Sequence, residues 1–265
     1  MSGEKLASMK DQIYRDPRPK EYFDRFHERS RTRDPDWVYE VVRMATTMYA
    51  LSFFRTRCIS SEKVPASGPL IIAPNHFSFM DHFFVGAFTR RKVRFMAKSQ
   101  MFKPPLQFIY THGGVFPVRR GARDDEAFAT AHSVLERDGA IVMYCEGGRS
   151  RTGALAEQAK PGIGRLALES GATVLPVAIH GSAKVRNWKR GQFPKVIVQY
   201  GDPFRFERVE TPTRHQSQVA ADEIFGEIKT LYNGLTEFGE SRVRASVRAA
   251  RRAARQAGKR AAPAS

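Results

Sequence analysis

The chain predicts an α/β fold: a mixed, largely parallel central sheet with helices on both faces. Two observations carry this. Between Lys63 and Tyr200, short apolar runs alternate with helical patterns. The 265 residues, 42% hydrophobic and with 19 Phe, suit one domain with a substantial core and appendages rather than a disordered chain. No internal repeat interrupts the pattern.

Taken in order, residues 1–33 are polar and basic with a few aromatics (Tyr14, Tyr22, Phe23, Phe26), and read as short helical or irregular structure. Asp34-Pro35-Asp36 marks a helix start, with Pro near the first turn and acids at the positive end of the dipole. Trp37, Val41, Ala45, Met48 and Ser52 then trace one face of a helix to about Phe54, widened by Val38, Val42, Tyr49 and Phe53. Two readings stay open for it: a core-packing helix, or an interfacial one that lays aromatics into a bilayer surface. Strands are expected at Leu70–Ala73, Val93–Ala97, Gly114–Val118, Ala140–Cys145, Thr173–Ile179 and Lys195–Tyr200. Helices are expected at Asp81–Thr89, Pro104–Tyr110, Asp124–Asp138, Ile163–Ser170 and from about Arg214 to Phe238. The Ala/Arg-rich stretch from Ser241 reads as a solvated, partly disordered extension, with docking on anionic lipid as its alternative. It has too few large apolar residues to bury a face of its own. The expected division is an N-terminal helical region (1–62), with a membrane-interfacial role as one of its two open readings, a main α/β domain (63–240) and a basic tail (241–265).

Charge narrows the partners. Lys and Arg number 44 against 27 Asp and Glu, a formal net charge of +17. A basic body expects phosphorylated metabolites, coenzyme A, anionic lipid or nucleic acid, and charge does not choose among them. Cys58 and Cys145 are the two cysteines, in no metal-ligand spacing, and read as reduced thiols. Met1-Ser2-Gly3-Glu4-Lys5 has no apolar core of the signal-peptide kind. The longest mostly apolar stretch, Met44–Phe54, falls short of the ~20 residues of a spanning helix. A peripheral or monotopic protein on the cytoplasmic face of a membrane is expected.

The chemistry concentrates in four blocks. Asn75-His76-Phe77-Ser78-Phe79-Met80-Asp81 follows an apolar run directly. On an unbroken helix His76 and Asp81 would point about 140° apart. They meet if His76 sits in a strand-to-helix turn and Asp81 in the first helical turn. Asp81 then accepts from one ring N–H and raises the basicity of the other nitrogen, a general base. His82, His112 and His180 read as structural or surface histidines. Gly113-Gly114-Val115-Phe116-Pro117-Val118-Arg119-Arg120-Gly121 ends in guanidinium groups that match phosphate oxygens. Tyr144-Cys145-Glu146-Gly147-Gly148-Arg149-Ser150-Arg151 places an acid, two flexible residues and two arginines at a strand end, where open α/β sheets bind ligands. Backbone N–H groups at Gly147 and Gly148 suit an anion, Arg149 supplies charge, and Lys160 adds a further cation. Val174-Leu175-Pro176-Val177-Ala178-Ile179-His180-Gly181 reads as a buried strand, with Pro176 marking an edge or a bulge near a site. No Walker-type Gly-Lys-Ser/Thr occurs, which removes support for nucleotide hydrolysis.

In this order the four blocks resemble the glycerolipid acyltransferase family, typified by 1-acyl-sn-glycerol-3-phosphate acyltransferases. That family carries Asn-His-x4-Asp, a Gly-x-x-Phe motif ending in Arg, Glu-Gly-Thr-Arg-Ser and Val-Pro-Val. The resemblance spans roughly residues 65–200. It implies transfer of a fatty acyl group from an acyl thioester, acyl-CoA or acyl carrier protein, to a lysophospholipid hydroxyl at an anionic membrane surface. It implies His76 as catalytic base with Asp81 as its partner. Asn75, Arg119, Glu146, Gly147, Gly148, Arg149 and Lys160 would form the acceptor site. No metal, no prosthetic group, no covalent acyl-enzyme on Ser78 and no specific nucleic acid are implied. An oxyanion site of backbone N–H groups is expected at the start of the Asp81 helix. Two departures bear on the acceptor: Tyr144-Cys145 replaces the usual Phe-Pro, and Gly148 the usual Thr. Another lysolipid or a glycolipid is therefore the alternative acceptor. A non-catalytic basic membrane-binding protein would leave the His–Asp and Glu-Gly-Gly-Arg blocks unexplained.

Overall fold

The computed structural model describes residues 6, 7, 9, 16–119 and 124–261, the last five through their backbone only. Tyr14, Arg120 and Gly121 fall outside it. Two helices come first, α1 (Asp24–Thr32) and α2 (Trp37–Phe53). The Asp36 carboxylate caps α2 by accepting from the Val38 N–H at 3.0 Å, as the Asp-Pro-Asp signal required. Then follow β1 (Arg57–Ile59), β2 (Leu70–Pro74), α3 (Asp81–Phe88), β3 (Val93–Lys98), α4 (Leu106–His112) and β4 (Val115–Val118). The second half holds α5 (Asp125–Glu136), β5 (Ala140–Val142), α6 (Pro161–Ser170), β6 (Thr173–His180), β7 (Ile197–Tyr200) and α7 (Arg214–Ala261). A 3-10 segment, Ser182–Arg190, links β6 to β7.

The sheet has seven strands in the order β1-β7-β6-β2-β5-β3-β4. Every pairing is parallel except β6 with β7. The carboxyl ends of β2 to β6 therefore share one edge, while β7 and β1 run the other way. β2 shows how the core divides. Leu70 and Ile72 face α2 and α3, packing with Tyr39, Phe54 and Phe84. Ile71 and Ala73 face α5, α6 and α7, packing with Leu135, Leu166 and Ile224. All four are fully buried, which explains an unbroken apolar run where a one-sided strand would alternate. Each large buried side chain contributes about 1.5–3 kcal/mol.

The mixed sheet with helices on both faces is as the sequence predicted. Several element ends shift by one to three residues, and three differences alter the organisation. β1 lies before residue 63, so the sheet begins inside the N-terminal region; three residues give too short a pattern to read. β5 stops at Val142 rather than Cys145, because Met143 onward turns over the sheet edge. The basic tail is helical to Ala261, after a break at Gly239, whose φ of 70° and ψ of 167° are non-helical. The tail does not build its own apolar face but borrows one: Val243 and Val247 pack beside Leu231, Leu235 and Ile59. Glu240 anchors its start, pairing with Lys195 at 2.5 Å and Arg244 at 2.7 Å.

One side of α2 packs on the core and the other is open. Val38, Tyr39 and Ala50 are buried. Trp37, Val41, Met44, Met48 and Leu51 form an exposed stripe on the opposite side, with Met44 and Met48 more than 60% accessible. Leu106, Phe108 and Ile109 of neighbouring α4 are exposed too. Among the described residues no helix is long and apolar enough to cross a membrane.

Candidate active site

β2 ends at Pro74, and the chain turns sharply before α3 begins at Asp81. That turn brings together the two residues that a continuous helix would separate. The Nδ1 of His76 lies 2.9 Å from Oδ2 of Asp81. The same oxygen accepts the backbone N–H groups of Phe77 and Ser78, each at 2.7 Å. Three donors on one carboxylate oxygen fix the loop, while Oδ1 is buried with no hydrogen bond. Asp81 is fully buried and His76 is 5% exposed. With Nδ1 facing Asp81, Nε2 is the ring nitrogen directed away from it.

The second loop meets the first from β5. Oε2 of Glu146 accepts the His76 backbone N–H at 2.6 Å, and Oε1 accepts from Ala156 at 3.3 Å. The His76 carbonyl accepts from the Ser150 N–H at 2.8 Å. Burial pushes the Glu146 carboxyl up to about 7, partly offset by those two N–H donors, with Asp81 nearby adding to the rise. Tyr144 stacks flat on the His76 ring, centroids 3.9 Å apart. Burial holds its phenol well above the usual range.

His76 lies on the wall of a cavity of about 550 Å³. Its other walls are mostly apolar, including Val42 of α2, Phe83 and Gly86 of α3, Phe95 of β3 and Ile109 of α4. Lys98 and Arg149 line the same space.

The expected acceptor residues divide sharply. Arg149 shares the cavity with His76. Arg119 does not line it. It follows β4, which β5 and β3 separate from β2, about 14 Å across the sheet. Its backbone N–H is held by Asp124 at 2.5 Å. Asn75 is fully buried, its amide engaged on both sides by the backbone of Ile179 at 2.7 and 3.2 Å. It clamps β2 to β6 and has no surface for a ligand. Glu146 braces two loops rather than lining the cavity. Gly147 has a positive φ of 65°, and its N–H closes a turn onto the Tyr144 carbonyl at 3.1 Å instead of facing an anion. Gly148 is half-buried in the same turn, and neither lines the cavity. Lys160 is exposed and lays its stem over Gly147, outside the cavity. The expected oxyanion donors at the α3 start are also engaged: Phe77 and Ser78 by Asp81, Met80 by the Ser78 hydroxyl at 3.1 Å.

Sequence reasoning missed three residues. His82 does not point elsewhere; its ring lines the cavity 5.2 Å from that of His76, with Nδ1 2.8 Å from the Tyr144 hydroxyl. Lys98 ends β3 at the ligand-binding edge, the strand-end signal that finds it. Arg186 staples both loops, donating to the carbonyls of Phe77 and Arg151, each at 2.9 Å, and to that of Ser150.

Residues 55–180 match the family model described as Acyltransferase. This stretch is an acyltransferase domain. The expectation of an acyltransferase is thereby borne out for this stretch. Its fold is similar to the crystal structure of the 1-acyl-sn-glycerophosphate (LPA) acyltransferase PlsC from Thermotoga maritima. That match has a TM-score of 0.54 and 22% identity, and covers 77% of this chain and 88% of the other. The acyltransferase domain runs from β1 through β6, so it holds both loops that meet at His76.

Proposed function

We propose that this acyltransferase moves a fatty acyl group from an acyl thioester to the hydroxyl of a lysophospholipid, namely 1-acyl-sn-glycerol-3-phosphate, giving phosphatidic acid. The observation that carries this reading is His76, backed by Asp81, on the wall of a mostly apolar cavity that also holds Lys98 and Arg149. An acyl chain suits the apolar walls, and a phosphate monoester suits the two cations.

In the reaction, Nε2 of His76 removes the proton as the acceptor oxygen attacks the thioester carbonyl. The tetrahedral adduct collapses, the C–S bond breaks, and the thiolate leaves with the proton returned by His76. Asp81 holds the ring tautomer and stabilises the imidazolium. With the loop N–H groups engaged by Asp81, charge stabilisation falls to the cavity cations. The exposed apolar stripe of α2 and the apolar residues of α4 belong on the surface of an anionic bilayer, beside the cavity that takes the lipid. The net charge of +17 adds electrostatic attraction.

The test is product analysis by mass spectrometry with lysophosphatidic acid, a panel of other lysolipid and glycolipid acceptors, and several acyl-CoAs. Phosphatidic acid should form, and His76→Ala should lose turnover by ~10²–10⁴-fold while remaining folded. Equal turnover in that variant, or transfer confined to another acceptor, overturns the reading.

A further inference from the structure

We propose that the Ser182–Arg190 segment and the adjoining Arg151 form the binding site for the phosphorylated adenosine end of coenzyme A, with Trp188 as the platform for the base. The inference rests on the acyl-thioester reading above and names its donor. Four observations converge.

The first is composition. No Asp or Glu occurs between Glu169 and Asp202, nor between Glu146 and Glu157, so the two loops facing each other here are purely basic. Lys184, Lys189, Arg190 and Arg151 are all exposed. The second is the aromatic. Trp188 is 39% accessible and Lys189 Nζ lies 5.7 Å from its ring centroid. A flat ring among cations suits a purine with phosphates attached.

The third is the tether. Through Arg186 the segment is held to the carbonyl of Phe77, one residue from the general base, and to those of Ser150 and Arg151. Val185 and Asn187 are buried on either side of it, so the exposed residues are presented from a fixed backbone. The fourth is topology. The apolar cavity draws its walls from β3 and α4, on one side of β2. The basic segment leaves β6, on the other side. A donor whose acyl chain fills the cavity, with its carbonyl at His76, sends its thiol arm outward, and this is the cationic surface across from the cavity. Lipid headgroups fit less well, because Trp188 is the one apolar side chain exposed on this segment, beside three exposed cations.

Trp37 and Trp188 are the only tryptophans, so the full chain with Trp37→Phe reports on Trp188 alone. Coenzyme A, without an acyl group, should quench its fluorescence saturably. Lys184→Glu with Lys189→Glu should weaken that binding by about tenfold or more. In steady-state kinetics the ratio of KM for acyl-CoA to KM for acyl-pantetheine, which lacks the nucleotide, should rise about tenfold in Trp188→Ala. An unquenched Trp188, or an unchanged KM ratio in a variant that still turns over, overturns the site. So does protection of Trp188 by vesicles of anionic phospholipid with no response to coenzyme A. Saturable quenching in a protein that transfers no acyl group from any thioester would uphold the site while removing the acyltransfer reading.

Discussion

The backbone N–H of His76 donates to Oε2 of Glu146 at 2.6 Å, so the acid of one motif fixes the position of the histidine of the other. Neither residue needs to touch substrate for this bond to matter. It joins the loop after β2 to the loop after β5, and His76 is the point where they meet.

Burial of the Glu146 carboxyl gives it a pH signature, which the N–H bond only partly offsets. The Glu146 carboxyl stands near 4.5 in the unfolded chain and about 7 in the fold. Between those values the folded chain keeps a proton that the unfolded chain has released. Its contribution to stability therefore falls as pH rises through that window and is level above it. Glu146→Gln should flatten the slope by about 1–3 kcal/mol over that window, measured by urea unfolding at a series of pH values. The same slope in both proteins would mean that Glu146 is not held as described.

Asp81 accepts three hydrogen bonds through Oδ2, and Asn can replace the acceptor but not the charge. Asp81→Asn should lower kcat by ~10²–10⁴-fold, with KM for donor and acceptor little changed. Circular dichroism should show the native fold. A variant with full kcat would remove the carboxylate from the mechanism.

Gly86 lies on the cavity wall, and a Cβ there would meet Phe95 at an ordinary 3.9 Å. A longer side chain must project further into the space. Gly86→Leu should shift the preferred acyl-CoA toward chains shorter by several carbons, read from kcat/KM across a chain-length series. An unaltered profile would place the acyl chain elsewhere.

Met44 and Met48 are exposed on the outer stripe of α2, where substitution leaves the core alone. Met44→Glu with Met48→Glu should reduce partition onto anionic vesicles by at least about tenfold, seen by co-sedimentation. Turnover of a soluble short-chain acceptor should persist. Undiminished sedimentation would take α2 off the bilayer.

Much of this was legible from residue order alone. The runs from Leu70 and Ala140 announced strands, and the His76–Asp81 spacing announced a turn because a helix would have parted them. What escaped depends on strand order, which a linear reading does not contain. Arg119 follows its strand just as Arg149 follows its own, but β4 is outermost and β5 adjoins β2. Lys98 carried no motif and entered the cavity because β3 lies inside the sheet. Asn75 looked like a ligand group because the motif names it. Its burial against Ile179 shows a polar residue fastening neighbouring strands. His82 lines the cavity because α2 and α4 close a wall around it, which its helix position alone does not announce.

The break at Gly239 reaches beyond local geometry. β1 is the outermost strand on its side, and such a strand offers its carbonyls to any passing chain. Arg244, on the arm beyond the break, donates to the Cys58 carbonyl at 2.9 Å, and Arg251 reaches Ser60 at 3.3 Å. The arginine-rich arm thus fills, with a side chain, an acceptor on the sheet border that a further strand would otherwise pair with.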